Sequence, residues 1–154
     1  MSTALKFLFS AMLMSAGIAQ AQAVLSPAEI EGITGLKGIK EVPRDPGKGA
    51  GGAFNYADST GKLVLLVMKE PMSTLKTWKD RYKKCEPAPE LGPDGCVAKS
   101  DPPFGFMLGY AFFSKNNQAI WLQQMGNKPG NVSKPNIERP ELIKLANLAY
   151  KNIK

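Results

Sequence analysis

Histidine is absent from this chain of 154 residues. Without an imidazole, the Ser-His-Asp and Cys-His mechanisms in their usual form are excluded. Zinc, copper and haem sites that depend on histidine ligands are excluded for the same reason. No other motif indicates a reaction, so we predict neither a catalytic residue nor a metal or cofactor site.

The first 23 residues have the three parts of a cleaved secretion signal. Lys6 provides the positive start, residues 7–18 are apolar, and two small-x-small sites end at Ala21 and Ala23. A buried helix or a membrane anchor is the alternative, but about 12 apolar residues are too few for a bilayer core that needs roughly 20. We therefore expect cleavage after Ala21 or Ala23. Residues 24–154 are expected to form one domain that is periplasmic or secreted.

Long hydrophobic runs are missing after the leader, where the longest covers residues 63–68. We therefore expect no transmembrane segment in the mature chain. The formal net charge is +7, and it becomes +6 when the leader and its single lysine are removed. Such an excess favours anionic partners such as lipid headgroups, cell-wall polymers or acidic proteins, although it is also explained by solubility alone.

The chain has two cysteines, Cys85 and Cys96, both beyond the leader. An even number of cysteines in an oxidising compartment favours a disulfide. The residues between them, 86–95, are rich in proline and glycine and are predicted to form a loop, and closing so small a ring contributes about 3 kcal/mol. Redox work and zinc binding are the alternatives, but the spacing is not C-x-x-C and no further thiol is present.

Apolar periodicity and turn residues predict three helices and five strands. The first helix begins after Ser26, with Pro27 in its first turn and Glu29 completing a capping box. The other predicted elements are a strand at 36–42, a hairpin of 53–58 with 62–69, a helix at 73–84, a hairpin of 104–114 with 118–125, and a helix at 140–153. This order predicts an α+β fold with a mainly antiparallel sheet of four to five strands, flanked by an N-terminal, a central and a C-terminal helix.

The predicted central helix is the most basic segment of the chain. Leu75, Trp78 and Tyr82 recur at helical spacing and are predicted to be buried. The basic residues lie elsewhere around the helix and form a candidate surface for an anionic partner: Lys76, Lys79, Arg81, Lys83 and Lys84. A merely solvated face is the alternative, and nucleic acid is not expected as the partner in this compartment.

Two adjacent phenylalanines, Phe112 and Phe113, lie in a predicted strand, so their side chains should point to opposite faces of the sheet. Either of them, or Trp121, is a candidate for lining a groove, with burial in the core as the alternative.

Residues 25–30 (LSPAEI), 35–39 (GLKGI) and 54–58 (FNYAD) resemble segments of small uncharacterised exported proteins of bacteria. The order of elements is similar to the PsbP/Mog1-like α/β/α sandwich. The resemblance implies an accessory or binding role without catalysis, and it assigns no functional residue.

Together these observations predict an exported binding or accessory protein of unknown ligand, which meets an anionic surface or a protein partner. Two alternatives stay open: a hydrolase of the envelope that works without histidine, and a structural or stress protein of the envelope.

Overall fold

The computed structural model of the protein describes residues 23–42, 52–82, 85–98, 107–125 and 136–154. The predicted leader up to residue 22 lies outside these residues, and so do Lys83 and Lys84 of the predicted basic surface.

Three helices and seven strands form in the described residues. The helices are α1 (Pro27–Thr34), α2 (Ser73–Arg81) and α3 (Arg139–Asn152). The strands are β1 (Lys40–Val42), β2 (Gly52–Ala57), β3 (Leu63–Pro71), β4 (Cys85–Pro87), β5 (Cys96–Ala98), β6 (Met107–Lys115) and β7 (Gln118–Met125), and a short 3-10 turn, Pro89–Leu91, separates β4 from β5.

The start of α1 follows directly from its sequence. The backbone N–H of Glu29 donates to the Ser26 hydroxyl over 3.3 Å, and the backbone N–H of Ser26 donates to the Glu29 carboxylate over 2.7 Å. Pro27 occupies the first turn, and Gly35 ends the helix with a left-handed φ of 71°. The predicted capping box is therefore confirmed, because these side chains satisfy N–H groups that the helix leaves free.

All seven strands join one antiparallel sheet in the order β1-β2-β3-β7-β6-β5-β4. The α+β class is confirmed, but the prediction of four to five strands is wrong. The segment around the cysteines, predicted to be a loop, provides β4 and β5, in which Cys85 lies opposite Ala98 and Pro87 opposite Cys96. Strands of three residues are too short to show an alternating pattern, and β4 also contains a proline. They form here because β6 provides the partner for β5, and β5 provides the partner for β4.

Both faces of the sheet are covered by helices. α1 and α3 pack on one face, where Leu65, Val67 and Phe113 are fully buried. α2 packs on the other face, where Leu75 and Trp78 meet Phe112. Phe112 and Phe113 therefore point to opposite faces as predicted, but both belong to the core and neither is exposed.

Backbone geometry explains why the predicted start of the first strand is wrong and why the predicted turn of the second hairpin is confirmed. The first strand begins at Lys40 rather than at residue 36, because Gly38 adopts a left-handed φ of 68° that an extended strand does not allow. The hairpin of β6 and β7 turns on Asn116 and Asn117, with φ of 50° and 61°. Asparagine tolerates this region, so the predicted tight turn is confirmed.

Candidate functional site

A groove of about 400 Å³ lies between α2 and the hairpin of β4 and β5. We call it the disulfide groove. Its lining residues are Lys79, Tyr82, Cys85, Pro87, Pro93, Asp94, Gly95, Cys96 and Phe112. It is the place where the predicted basic helix and the predicted disulfide meet.

One wall of the groove is held by the bond between Cys85 and Cys96, whose Cα atoms are 5.6 Å apart. The predicted disulfide therefore agrees with the structure. Both cysteines are half-buried and pack against the aromatic residues under α2. The bond joins β4 to β5, so it fixes the width of a hairpin that has only three residues in each strand.

Gly95 closes the turn that leads from the 3-10 segment into β5. A Cβ atom at this position would collide with the carbonyl oxygen of Ala88 and would lie 2.6 Å from the Cβ of Leu91. The backbone passes this closely because the N–H of Ala88 donates to the Gly95 carbonyl over 2.9 Å. Only glycine fits such an approach.

Tyr82 and Phe112 of the groove belong to a larger cluster of aromatic rings between α2 and the sheet. The ring of Tyr82 lies 4.6 Å from that of Trp121 and 5.0 Å from that of Tyr110, measured between centroids. Tyr110 and Trp121 stack at 4.7 Å. Burial raises the pKa of Tyr110, so its hydroxyl stays neutral. Phe112 also borders the groove but is fully buried, so Tyr82, which is half-buried, is the aromatic side chain that a ligand can reach there.

Three side chains from separate elements join at the rim through Asp94, and we call this set the Asp94 bridge. Lys79 of α2 forms an ion pair with Asp94, and the Ser114 hydroxyl of β6 donates to the other carboxylate oxygen over 2.6 Å. The hydrogen bond from Lys79 and then that from Ser114 lower the pKa of Asp94. The Asp94 bridge thus ties the turn before β5 to both α2 and β6.

The described residues of the predicted basic surface do not form one continuous patch. Lys76 and Arg81 are exposed on α2, whereas Lys79 is engaged by Asp94. At about 100° per residue, Lys76 and Arg81 are about 140° apart around the helix axis. They therefore flank the helix from two sides, and only Lys79 among the described basic residues of α2 lines the disulfide groove.

The hairpin that forms one wall of the groove is also held by Arg139, a contact that the sequence does not predict. Arg139, at the start of α3, donates through Nη2 to the Glu86 carboxylate over 2.7 Å and through Nε to the Ala98 carbonyl over 3.2 Å. These bonds tie α3 to both strands of the disulfide hairpin. No local pattern predicts them, because the partners are more than 40 residues apart in sequence.

Within the residues that the structure describes, no three His, Cys, Asp or Glu side chains come close enough together to hold a metal ion. The helices of the same residues include none that is long and apolar enough to cross a membrane.

No protein-family model, curated protein or solved structure matches this chain. The resemblance to the PsbP/Mog1-like sandwich therefore stays a prediction. The functional interpretation rests on the residues of the chain and on their geometry.

Proposed function

We propose that this protein is an exported binding module whose disulfide groove holds a short segment of a partner protein. The observation that carries the proposal is the composition of the groove, in which a half-buried tyrosine, two prolines and a disulfide surround a cavity rimmed by the ion pair of Lys79 and Asp94. Grooves that combine apolar walls with a few polar groups are typical of binding sites, and about 400 Å³ lies within their usual range of about 300–1,000 Å³.

The apolar part of the partner would meet Tyr82, Pro87 and Pro93. Both prolines are exposed, and proline and disulfide-bonded residues lose little conformational freedom when a ligand binds. Tyrosine is among the residues that contribute most to binding energy at interfaces. The groove therefore offers an apolar contact that is already ordered before the partner arrives.

The charged part of the partner should be acidic. Lys76 and Arg81 are exposed on either side of α2, and Lys83 and Lys84 follow Tyr82 directly in the sequence. Exposed charges of this kind accelerate association and set its salt dependence more than they set affinity. We therefore propose a partner segment that carries an apolar side chain next to aspartate or glutamate.

Export is tested by expressing the full chain in a Gram-negative host and determining the N-terminus and intact mass of the product. We expect a start at Gln22 or Val24, location in the periplasm, and a mass two hydrogens below that of the reduced chain. A product that keeps Met1 and remains in the cytosol contradicts the export part of the proposal.

The groove is tested by selecting peptides from a displayed random library against the oxidised mature protein. We expect enriched peptides to combine an aromatic or aliphatic residue with acidic neighbours. Their affinity should fall about tenfold or more with Tyr82→Ala, since this substitution removes the central apolar contact. Lys76→Gln with Arg81→Gln should lower the association rate and its salt dependence.

Two matched controls separate this site from general stickiness. Lys37→Gln removes an exposed charge after α1, and Val42→Ala shortens an exposed apolar side chain on β1, at the sheet edge far from β4. Both should bind the selected peptides like the wild type. Peptides that bind Tyr82→Ala as well as the wild type, or a selection that enriches no sequence, would show that the groove is not the site.

A further inference from the structure

A second cavity, of about 650 Å³, lies on the opposite side of the sheet, where the start of α1, the end of α3 and the strand β3 meet. We call it the lysine cleft. The polar and charged side chains that line it include Glu29, Lys69, Gln118, Lys151, Asn152 and Lys154. It shares no lining residue with the disulfide groove.

Lys69 is the residue of this cleft that packing does not explain. It alternates with Leu65 and Val67 along β3 and lies opposite Ile120, so it is on the inner face of the sheet, which α1 and α3 cover. Lys69 is half-buried, and its side chain makes no hydrogen bond or ion pair with any residue that the structure describes. An ammonium group without a counter-charge at the wall of a cleft is available to a negatively charged ligand.

The other charges of the cleft leave the positive excess in place. Lys151 and Lys154 add two ammonium groups, and Glu29 is the one acidic side chain among the lining residues. Glu29 is already engaged, because one oxygen accepts from Ser26 over 2.7 Å and the other accepts from Asn152 over 3.1 Å. Its pKa is lowered, chiefly by the backbone hydrogen bond from Ser26, so it stays ionised and offsets one of the three lysine charges of the cleft.

A structural explanation covers part of this arrangement. Lysines at the end of a helix complement the partial negative charge there, and this accounts for Lys151 in the last turn of α3. It does not account for Lys69, which belongs to a strand. Gln118, also half-buried, lies at the start of the neighbouring strand and provides an amide donor beside it.

We infer that the lysine cleft binds a small oxyanion with at least two negative charges, of the type of a phosphate monoester. Such a group carries close to two charges at neutral pH and several acceptor oxygens, which suits separate ammonium groups and an amide. The cleft is large enough to hold an organic group along with the phosphate. The same chemistry is found in free phosphate esters and in lipid headgroups, and the two sources are distinguished by experiment.

The mature, oxidised chain should be titrated calorimetrically with glycerol 3-phosphate, with glycerol as the uncharged control. We expect binding of the phosphate ester alone, weakened when the salt concentration rises from about 0.05 M to about 0.5 M. Lys69→Gln should lower the affinity about fivefold to tenfold, and Lys69→Gln with Lys151→Gln should lower it further. Lys69→Arg, which keeps the charge, should retain most of the binding.

Lys37→Gln is the control for net charge, since it removes one exposed lysine that does not line the cleft. Sedimentation with phosphatidylcholine vesicles that contain phosphatidic acid forms the second arm. Binding to these vesicles but not to glycerol 3-phosphate, lost with Lys69→Gln, assigns the site to a lipid headgroup. The inference is overturned if neither probe binds, or if Lys69→Gln and Lys37→Gln reduce binding equally. Peptide binding in the disulfide groove is measured separately, so each proposal can fail without the other.

Discussion

Replacing Gly95 with alanine should destabilise the protein by about 2–4 kcal/mol. The added Cβ would lie 2.3 Å from the Ala88 carbonyl oxygen and 2.6 Å from the Cβ of Leu91, whereas ordinary contacts begin at 3.4 Å, so the turn would have to open by 1.1 Å at its tightest contact. Leu91 is fully buried, and the turn is held by hydrogen bonds from Ala88 to Gly95 and from Gly95 to Gly92, of 2.9 and 3.0 Å. Overpacking of this kind costs about 1–3 kcal/mol, and a strained or lost backbone hydrogen bond adds about 1 kcal/mol.

The assay is equilibrium unfolding in urea with the disulfide intact, followed by the fluorescence of the two tryptophans, which both belong to the buried cluster between α2 and the sheet. Gly32→Ala is the matched control, because Gly32 is exposed in α1 and a Cβ there meets nothing within 4 Å. This control should stabilise the protein by about 0.5–1 kcal/mol, since alanine favours the helix. If Gly95→Ala unfolds within about 0.5 kcal/mol of the wild type, the close approach described here is wrong.

Three further predictions follow from the same contacts. Replacing Cys85 and Cys96 by serine should lower the free energy of unfolding by about 3 kcal/mol in urea, and a double variant as stable as the oxidised wild type would contradict the constraint. Tyr56→Phe should cost about 1–2 kcal/mol in the same assay, because the buried Tyr56 hydroxyl donates to the Leu25 carbonyl over 2.5 Å; an unchanged midpoint would contradict this hydrogen bond. The lowered pKa of Asp94 means that its carboxylate stabilises the fold above about pH 4, the ordinary value in an unfolded chain, and that this contribution is lost as the pH falls through the lower folded value. Asp94→Asn should therefore lower the melting temperature at pH 7, by an amount that corresponds to at most about 1 kcal/mol for so exposed a pair. The difference in melting temperature from the wild type should shrink in acid. A difference that does not depend on pH would refute the assignment.

Local signals predicted those elements whose own residues are sufficient to define them. Ser26 and Glu29 cap α1 through bonds three residues apart, and Asn116 with Asn117 forms a turn from backbone preferences alone. The spacing of Leu75 and Trp78 likewise predicted the buried side of α2. In each case the interaction lies within one element, so the pattern is readable without the rest of the chain.

The disulfide groove could be predicted only in part. The disulfide of Cys85 and Cys96 and the basic character of α2 were expected from the sequence. The contact between α2 and the disulfide hairpin was not, because Lys79 and Asp94 are 15 residues apart and meet only when the hairpin packs beside the helix. That ion pair also reduces the predicted basic surface of the helix, because Lys79 belongs to the Asp94 bridge and does not present a free charge.

From the sequence by itself came the absence of histidine chemistry, the pairing of two cysteines, the α+β order of elements and the expectation of export. Tertiary structure alone decided that β4 and β5 extend the sheet to seven strands, that Phe112 is buried against Trp78 and Trp121, and that Lys69 lines a cleft. The physical reason is that local conformation depends on neighbours along the chain, whereas burial and charge pairing depend on which distant segments pack together.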